Sequence, residues 1–150
     1  LPAQIGKGVT SYTASKEVSR IELLTIENLL DTTGKSILVS SEKFIDASTG
    51  ISGSGPAYVF YFMQSMMEAA LKMGFSGNDS KMLVSHTFEG AVELFNQSDL
   101  SPNSWMERVA SKGGTTRAAL DSMEDNNVKE LIKEAAYSAF NRAVELGQDK

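Results

Sequence analysis

A chain of 150 residues and 16.2 kDa, with 41% hydrophobic and 22% charged residues, is long enough to bury roughly two-thirds of its unfolded surface, which argues against disordered, collagenous and membrane classes. With 14 basic against 19 acidic side chains the net charge is -5, so no broad cationic field draws in DNA or RNA. Zero cysteines and one histidine exclude disulfides, thiolate zinc sites and a cysteine nucleophile, and fit a reducing cytoplasm.

The first predicted elements are short. Gly8-Val9-Thr10-Ser11-Tyr12-Thr13 and Ser36-Ile37-Leu38-Val39-Ser40 alternate in polarity with β-branched and aromatic residues, and both read as strands. Between them Val18, Ile21, Leu24, Ile26, Leu29 and Leu30 recur at helical spacing, with Ser15 as the expected cap and Gly34 as the expected stop. A helix from about Glu42 toward Thr49 follows, then the Gly50 to Gly55 stretch. Pro56, which needs no amide hydrogen at a first helical position, opens the next helix.

That helix is the most apolar in the chain. Tyr58, Val59, Phe60, Phe62, Met63, Met66, Met67, Leu71 and Met73 leave only a thin polar stripe of Gln64, Glu68 and Lys72, with Gly74 as the stop. Such a helix is expected to be nearly surrounded, either by a second copy of the chain or by the other helices of the same one. Its longest apolar run, Ala57 to Met63, is far shorter than the ~20 residues a bilayer span needs, and no charged-then-apolar leader opens the chain. Leu1-Pro2-Ala3 at the start, in place of a methionine, suggests a fragment.

The remaining elements are helices: Ser80 to about Gln97, a short one capped by Ser101 with Pro102 at its first position, and Thr115 to Met123. The last keeps its apolar period from Val128 to Leu146 and is expected to end at Gly147.

Two glycine-containing segments precede helices. In Ser111-Lys112-Gly113-Gly114-Thr115-Thr116 the paired glycines can turn backbone N–H groups toward one point, and the following helix adds its positive dipole end. This is either an anion site for a carboxylate or phosphate, or an ordinary connector with a threonine cap. In Ser52-Gly53-Ser54-Gly55-Pro56-Ala57-Tyr58 the glycines permit either ligand contact or tight helix packing. Gly6-Lys7-Gly8 lacks the third glycine of a dinucleotide fingerprint, and no strand leads directly into Gly53. His86, flanked by Ser85 and Thr87, has no second ligand at metal spacing and is expected to be a hydrogen-bonded structural residue, so no metal site is expected. Trp105 and the seven methionines read as core or interface fillers.

Taken together, Asp46-Ala47-Ser48-Thr49-Gly50-Ile51-Ser52-Gly53-Ser54-Gly55-Pro56-Ala57-Tyr58-Val59-Phe60 closely resembles the signature segment of pyrroline-5-carboxylate reductases, and Ser111 to Thr116 resembles their second signature. The stretch Ile26 to Lys35 agrees too, and Pro2 to Gly8 looks like the tail of that family's dinucleotide-binding domain. The resemblance implies a mainly α fold, with a short β-α-β remnant at residues 1–40 followed by an all-helical, interlocked dimerisation and substrate-binding domain at 41–150.

It further implies the substrate-binding and dimerisation part of an oxidoreductase that reduces 1-pyrroline-5-carboxylate to L-proline in proline biosynthesis. NADPH or NADH would be bound mainly by a domain outside this chain, in a cytoplasmic homodimer or higher oligomer without nucleic-acid or membrane partners. Carried over by position, Ser111, Gly113, Gly114 and Thr115 would hold the substrate carboxylate, Val109 would line the pocket, and Thr116, the one residue assigned a catalytic part, would hydrogen-bond the ring nitrogen. Asp99 aligns near this pocket with a shorter acid than is usual, Lys112 stands where proline is more common, and Arg117 where an apolar residue is. The two cations are expected either to raise the potential for an anionic substrate or to point into solvent. A non-catalytic helical dimer that binds a small carboxylate is the alternative function.

Overall fold

Two strands, β1 (Gly8–Tyr12) and β2 (Gly34–Leu38), pair in parallel in the computed structural model, which describes residues 1–148; Gly8 lies opposite Gly34 and Tyr12 opposite Leu38. Parallel strands need a long crossover, and α1 (Arg20–Leu30) provides it. Its cap is Ser19 rather than the expected Ser15. The Ser19 hydroxyl accepts from the Glu22 N–H, and the Glu22 carboxylate accepts from the Ser19 N–H at 2.8 Å, a complete capping box. The helix ends at Leu30 and a 3₁₀ turn, Asp31–Thr33, delivers the chain to β2. Register is fixed by backbone crowding: Gly34 has φ +151°, and a Cβ there would overlap the backbone of Gly8, so only glycine fits.

After β2 come α2 (Glu42–Ser48) and a π-helical turn, Thr49–Gly53. Gly50 is buried, and a Cβ on it would come within 2.9 Å of the Ala136 carbonyl and 3.1 Å of the Phe140 Cβ. The turn thus lies directly against the backbone of the last helix, α7 (Val128–Gln148). The Tyr58 hydroxyl donates to the Gly50 carbonyl at 3.0 Å. Tight packing therefore accounts for Gly50 and Tyr58, whereas a Cβ on Gly55 would meet nothing within 4 Å. Gly147 lies inside α7 and does not end it. An interior glycine costs only about 1 kcal/mol relative to alanine, which the flanking turns can absorb.

The chain divides into two compact units, one of Leu1–Tyr58 with the stretch from Ile132 onward, the other Val59–Leu131. The second unit is helical throughout: most of α3 (Gly55–Lys72), α4 (Gly77–Asn96), α5 (Pro102–Val109) and α6 (Thr115–Asp125). Helix α4 begins ahead of the expected Ser80, because the Ser76 side chain accepts from the Asp79 N–H at 3.1 Å and donates to its carboxylate at 2.6 Å. Ser80 instead lies within the helix, fully buried. The Ser101 cap and Pro102 stand as read, with Ser101 accepting from the Ser104 N–H at 3.1 Å.

Only small side chains are buried in this unit, Ala70, Ser80, Val84 and Ala110, and of these Ser80 alone is fully enclosed. Several large apolar residues of α3 stay open to solvent, with Phe60 at 60%, Tyr61 at 74% and Leu71 at 48% exposure. The helices of this unit therefore leave part of the apolar face of α3 uncovered. Covering such side chains is worth about 1.5–3 kcal/mol each. The polar stripe forms as read, Gln64 donating to Glu68 at 2.9 Å. No helix among the described residues is long and apolar enough to cross a membrane.

Candidate functional site

The second glycine segment forms a tight junction between α5 and α6. The chain leaves α5 at Val109, buries Ala110, and turns through Ser111, Lys112, Gly113 and Gly114, where the Gly114 N–H donates to the Ser111 carbonyl at 3.0 Å. Gly113 has φ +73°. Positive φ at the third position of a hydrogen-bonded four-residue turn marks type II geometry, which glycine adopts without strain and which favours proline at the second position. Lys112 holds that second position, so a proline there would fit the same backbone.

Gly114 is the N-cap of α6 and supplies no side-chain cap. The first turn-to-helix bond is Ala118 N–H to the Gly114 carbonyl at 3.2 Å. The N–H groups of Thr115, Thr116 and Arg117 therefore have no partner among the described residues, as the opening turn of an uncapped helix requires. A Cβ on Gly113 would meet nothing within 4 Å, while one on Gly114 would lie 2.5 Å from the Ser111 hydroxyl oxygen. Unpartnered amides, a positive dipole end and open space beside a glycine are the features that binding a small anion would require.

Around this point stand all six residues expected from the sequence. Val109, the last residue of α5, is 65% exposed, and Ser111, Gly113 and Thr115 are exposed, while Gly114 and Thr116 are half-buried. The Thr116 side chain sits on the first turn of α6 with a hydroxyl that makes no hydrogen bond within the described residues, free to donate or accept.

Arg117 does not simply point into solvent: its Nη2 donates to both oxygens of Glu107 at 3.0 and 3.1 Å, with the side chain 29% exposed. The hydrogen bond to Glu107, then its charge, with smaller contributions from Asp121 and Glu124, hold the guanidinium even more firmly protonated than usual. Sequence reasoning missed Glu107. The signal was present as an acid on α5 and a base on α6 flanking one glycine turn. Lys112 and Asp99 are exposed, Asp99 in the stretch between α4 and α5.

His86 stands on the open face of α4, its Nδ1 3.2 Å from Glu89 and its side chain 73% exposed. The Trp105 indole carries the Arg108 guanidinium 5.3 Å from its ring centroid, and its buried N–H finds no partner. The tryptophan borders an apolar cleft with Val92, Phe95 and Pro102, as a gap filler would. No group of three or more metal-ligating side chains converges among the described residues.

The N-terminus of α1 is capped by its own Ser19 and Glu22 side chains, leaving fewer free amides there than at the start of α6.

Residues 42–146 match the family described as pyrroline-5-carboxylate reductase dimerisation. Pyrroline-5-carboxylate reductase 2 of Bacillus subtilis is 35% identical over 96% of this chain and 51% of its own length. The Pseudomonas aeruginosa pyrroline-5-carboxylate reductase is also 35% identical, over 98% of the chain and 54% of its own. Among solved structures, the pyrroline-5-carboxylate reductase of Coxiella burnetii superposes with a TM-score of 0.93 at 34% identity, covering 97% of this chain and 54% of that one. A Plasmodium falciparum pyrroline carboxylate reductase with NADP bound gives 0.90 at 32% identity, over 97% and 55%. The chain spans about half the length of the curated relatives it matches. With both glycine segments inside the matched range and similarity running nearly end to end, the chain belongs to the pyrroline-5-carboxylate reductase dimerisation family.

Proposed function

We propose that this chain is the substrate-binding and dimerisation part of an oxidoreductase that reduces 1-pyrroline-5-carboxylate to L-proline, a step of proline biosynthesis. The observation that carries the reading is the uncapped start of α6, with its three unpartnered N–H groups beside the open face of Gly113. The substrate carboxylate binds here, held by the backbone of Ser111, Gly113, Gly114 and Thr115, with Val109 against the ring. The Thr116 hydroxyl hydrogen-bonds the ring nitrogen and fixes which face of the C=N bond is presented. A protonated cyclic imine asks mainly for orientation and charge placement, so the absence of cysteine and the scarcity of histidine are no obstacle.

NADPH or NADH supplies the hydride in this reading and is held mainly by a dinucleotide-binding domain to which residues 1–40 form the tail, with 41–150 as the helical domain. The exposed apolar residues of α3 support a homodimer, since a second copy is the usual cover for such a helix. The cysteine-free composition supports a reducing, cytoplasmic setting.

The test is proline-dependent reduction of NAD(P)+ by the full-length protein carrying this sequence. Thr116→Ala is expected to lower kcat/KM roughly 10- to 100-fold, the loss of one well-placed hydrogen bond in a water-poor site. Wild-type activity untouched by Thr116→Ala would remove the residue from the mechanism, and no turnover at all would reject the reaction.

A further inference from the structure

We propose that the Glu107–Arg117 ion pair is a positioning device for the acid-binding turn, a clasp between α5 and α6 that holds the Gly113 and Thr115 amides in their binding geometry. The proposal rests on the reading of the α6 N-terminus as a carboxylate site. It begins from how little else fixes that turn. One backbone bond closes it, Gly114 N–H to the Ser111 carbonyl at 3.0 Å, and no neighbouring atom would meet a Cβ on Gly113 within 4 Å. Adjacent glycines carry the greatest conformational freedom of any residues, so a binding geometry built on them needs an outside brace.

The pair is placed to be that brace. His86–Glu89 and Arg142–Glu145 each join residues three apart on a single helix and can stiffen only that helix. Glu107 and Arg117 are ten apart and close a loop around the whole turn. The Arg117 side chain is 29% exposed, against 73% for His86 and 62% for Arg142, while Glu107 is 59% exposed, so water and salt screen the arginine end of the pair less.

Charge alone gives the opposite expectation for Glu107. A carboxylate next to a site for an anion repels the ligand, so on a purely electrostatic account its removal tightens binding. On the clasp account its removal loosens the turn and weakens binding. The sign of one substitution therefore separates the two.

The experiment uses the ¹⁵N-labelled 150-residue chain, with solvent exchange of the Gly114 N–H reporting the turn and titration with L-proline reporting the site. Glu107→Gln and Arg117→Met are each expected to speed Gly114 exchange about three- to tenfold and to raise the Kd for L-proline by a similar factor, as a pair of this strength allows. The exchanged pair, Glu107→Arg with Arg117→Glu, is expected to restore both to within about twofold of wild type, since the clasp needs opposite charges and not a given polarity. Tighter proline binding in Glu107→Gln, unchanged Gly114 exchange in both single variants, or no rescue by the exchanged pair would each overturn the proposal. If the wild-type chain does not bind L-proline, the carboxylate reading fails on its own. Gly114 exchange and its rescue then still decide whether the clasp holds the turn.

Discussion

Helices α1 and α6 are both 11 residues long, yet their starts are built in opposite ways. The α1 start is sealed, with Ser19 and Glu22 satisfying each other's amides. Nearby, the space beside Gly34 is filled by the backbone of Gly8. The α6 start is left unsealed, and the space beside Gly113 is empty. Glycine serves packing where a neighbour occupies the place of its side chain, and serves binding where that place is vacant and amides face it. The same residue type thus means two things, and the surroundings of its missing Cβ tell them apart.

The largest expected effect tests the filled case. Gly34→Ala forces both an unfavourable φ and an overlap with the paired strand, and is expected to cost at least about 3 kcal/mol in urea unfolding. A loss below about 1 kcal/mol would show that β1 and β2 can shift register freely. The vacant case comes next. Gly113→Ala meets no atom and bears only the left-handed backbone, a cost of about 1–2 kcal/mol, so its unfolding midpoint should move clearly less than that of Gly34→Ala.

A smaller effect on folding but a large one on binding is expected from Gly114→Asp. Once the Ser111 hydroxyl swings aside, the new carboxylate caps α6 in the ligand's place, shifting stability by no more than roughly 1 kcal/mol. Binding of L-proline should fall more than about tenfold, and retained binding would place the acid elsewhere. The smallest effect concerns pH. Hydrogen bonds from the Ser19 side chain and then its backbone hold the Glu22 carboxyl below its ordinary value. A lowered folded pKa contributes stability above the unfolded value, near about 4.3, and that contribution is lost as pH falls through the folded one. Glu22→Gln keeps the hydrogen bonds without titrating, so its stability should fall less between pH 5 and pH 3 than that of wild type.

Much of this was legible beforehand, and the misreadings share a cause. Ser101 with Pro102 announced α5 because cap and proline stood side by side. Ser19 and Ser76 were passed over for Ser15 and Ser80, although each has an acid three residues on, Glu22 and Asp79, as a capping pair requires. The turn at Gly113 and Gly114 was visible as a pattern. That Gly113 would be vacant and Gly50 crowded was not, since that depends on Ala136 and Phe140, far along the chain. Glu107 escaped notice for the same reason: its partner lies ten residues away, across a turn whose path the pattern leaves open.

The enclosed apolar side chains described here are Ala70, Val84 and Ala110, none larger than valine. If a second copy supplies the missing cover, folding and association become a single equilibrium. Every tenfold dilution then removes about 1.4 kcal/mol from the pair, and the midpoint of melting climbs with protein concentration, as it does not for a chain that encloses itself.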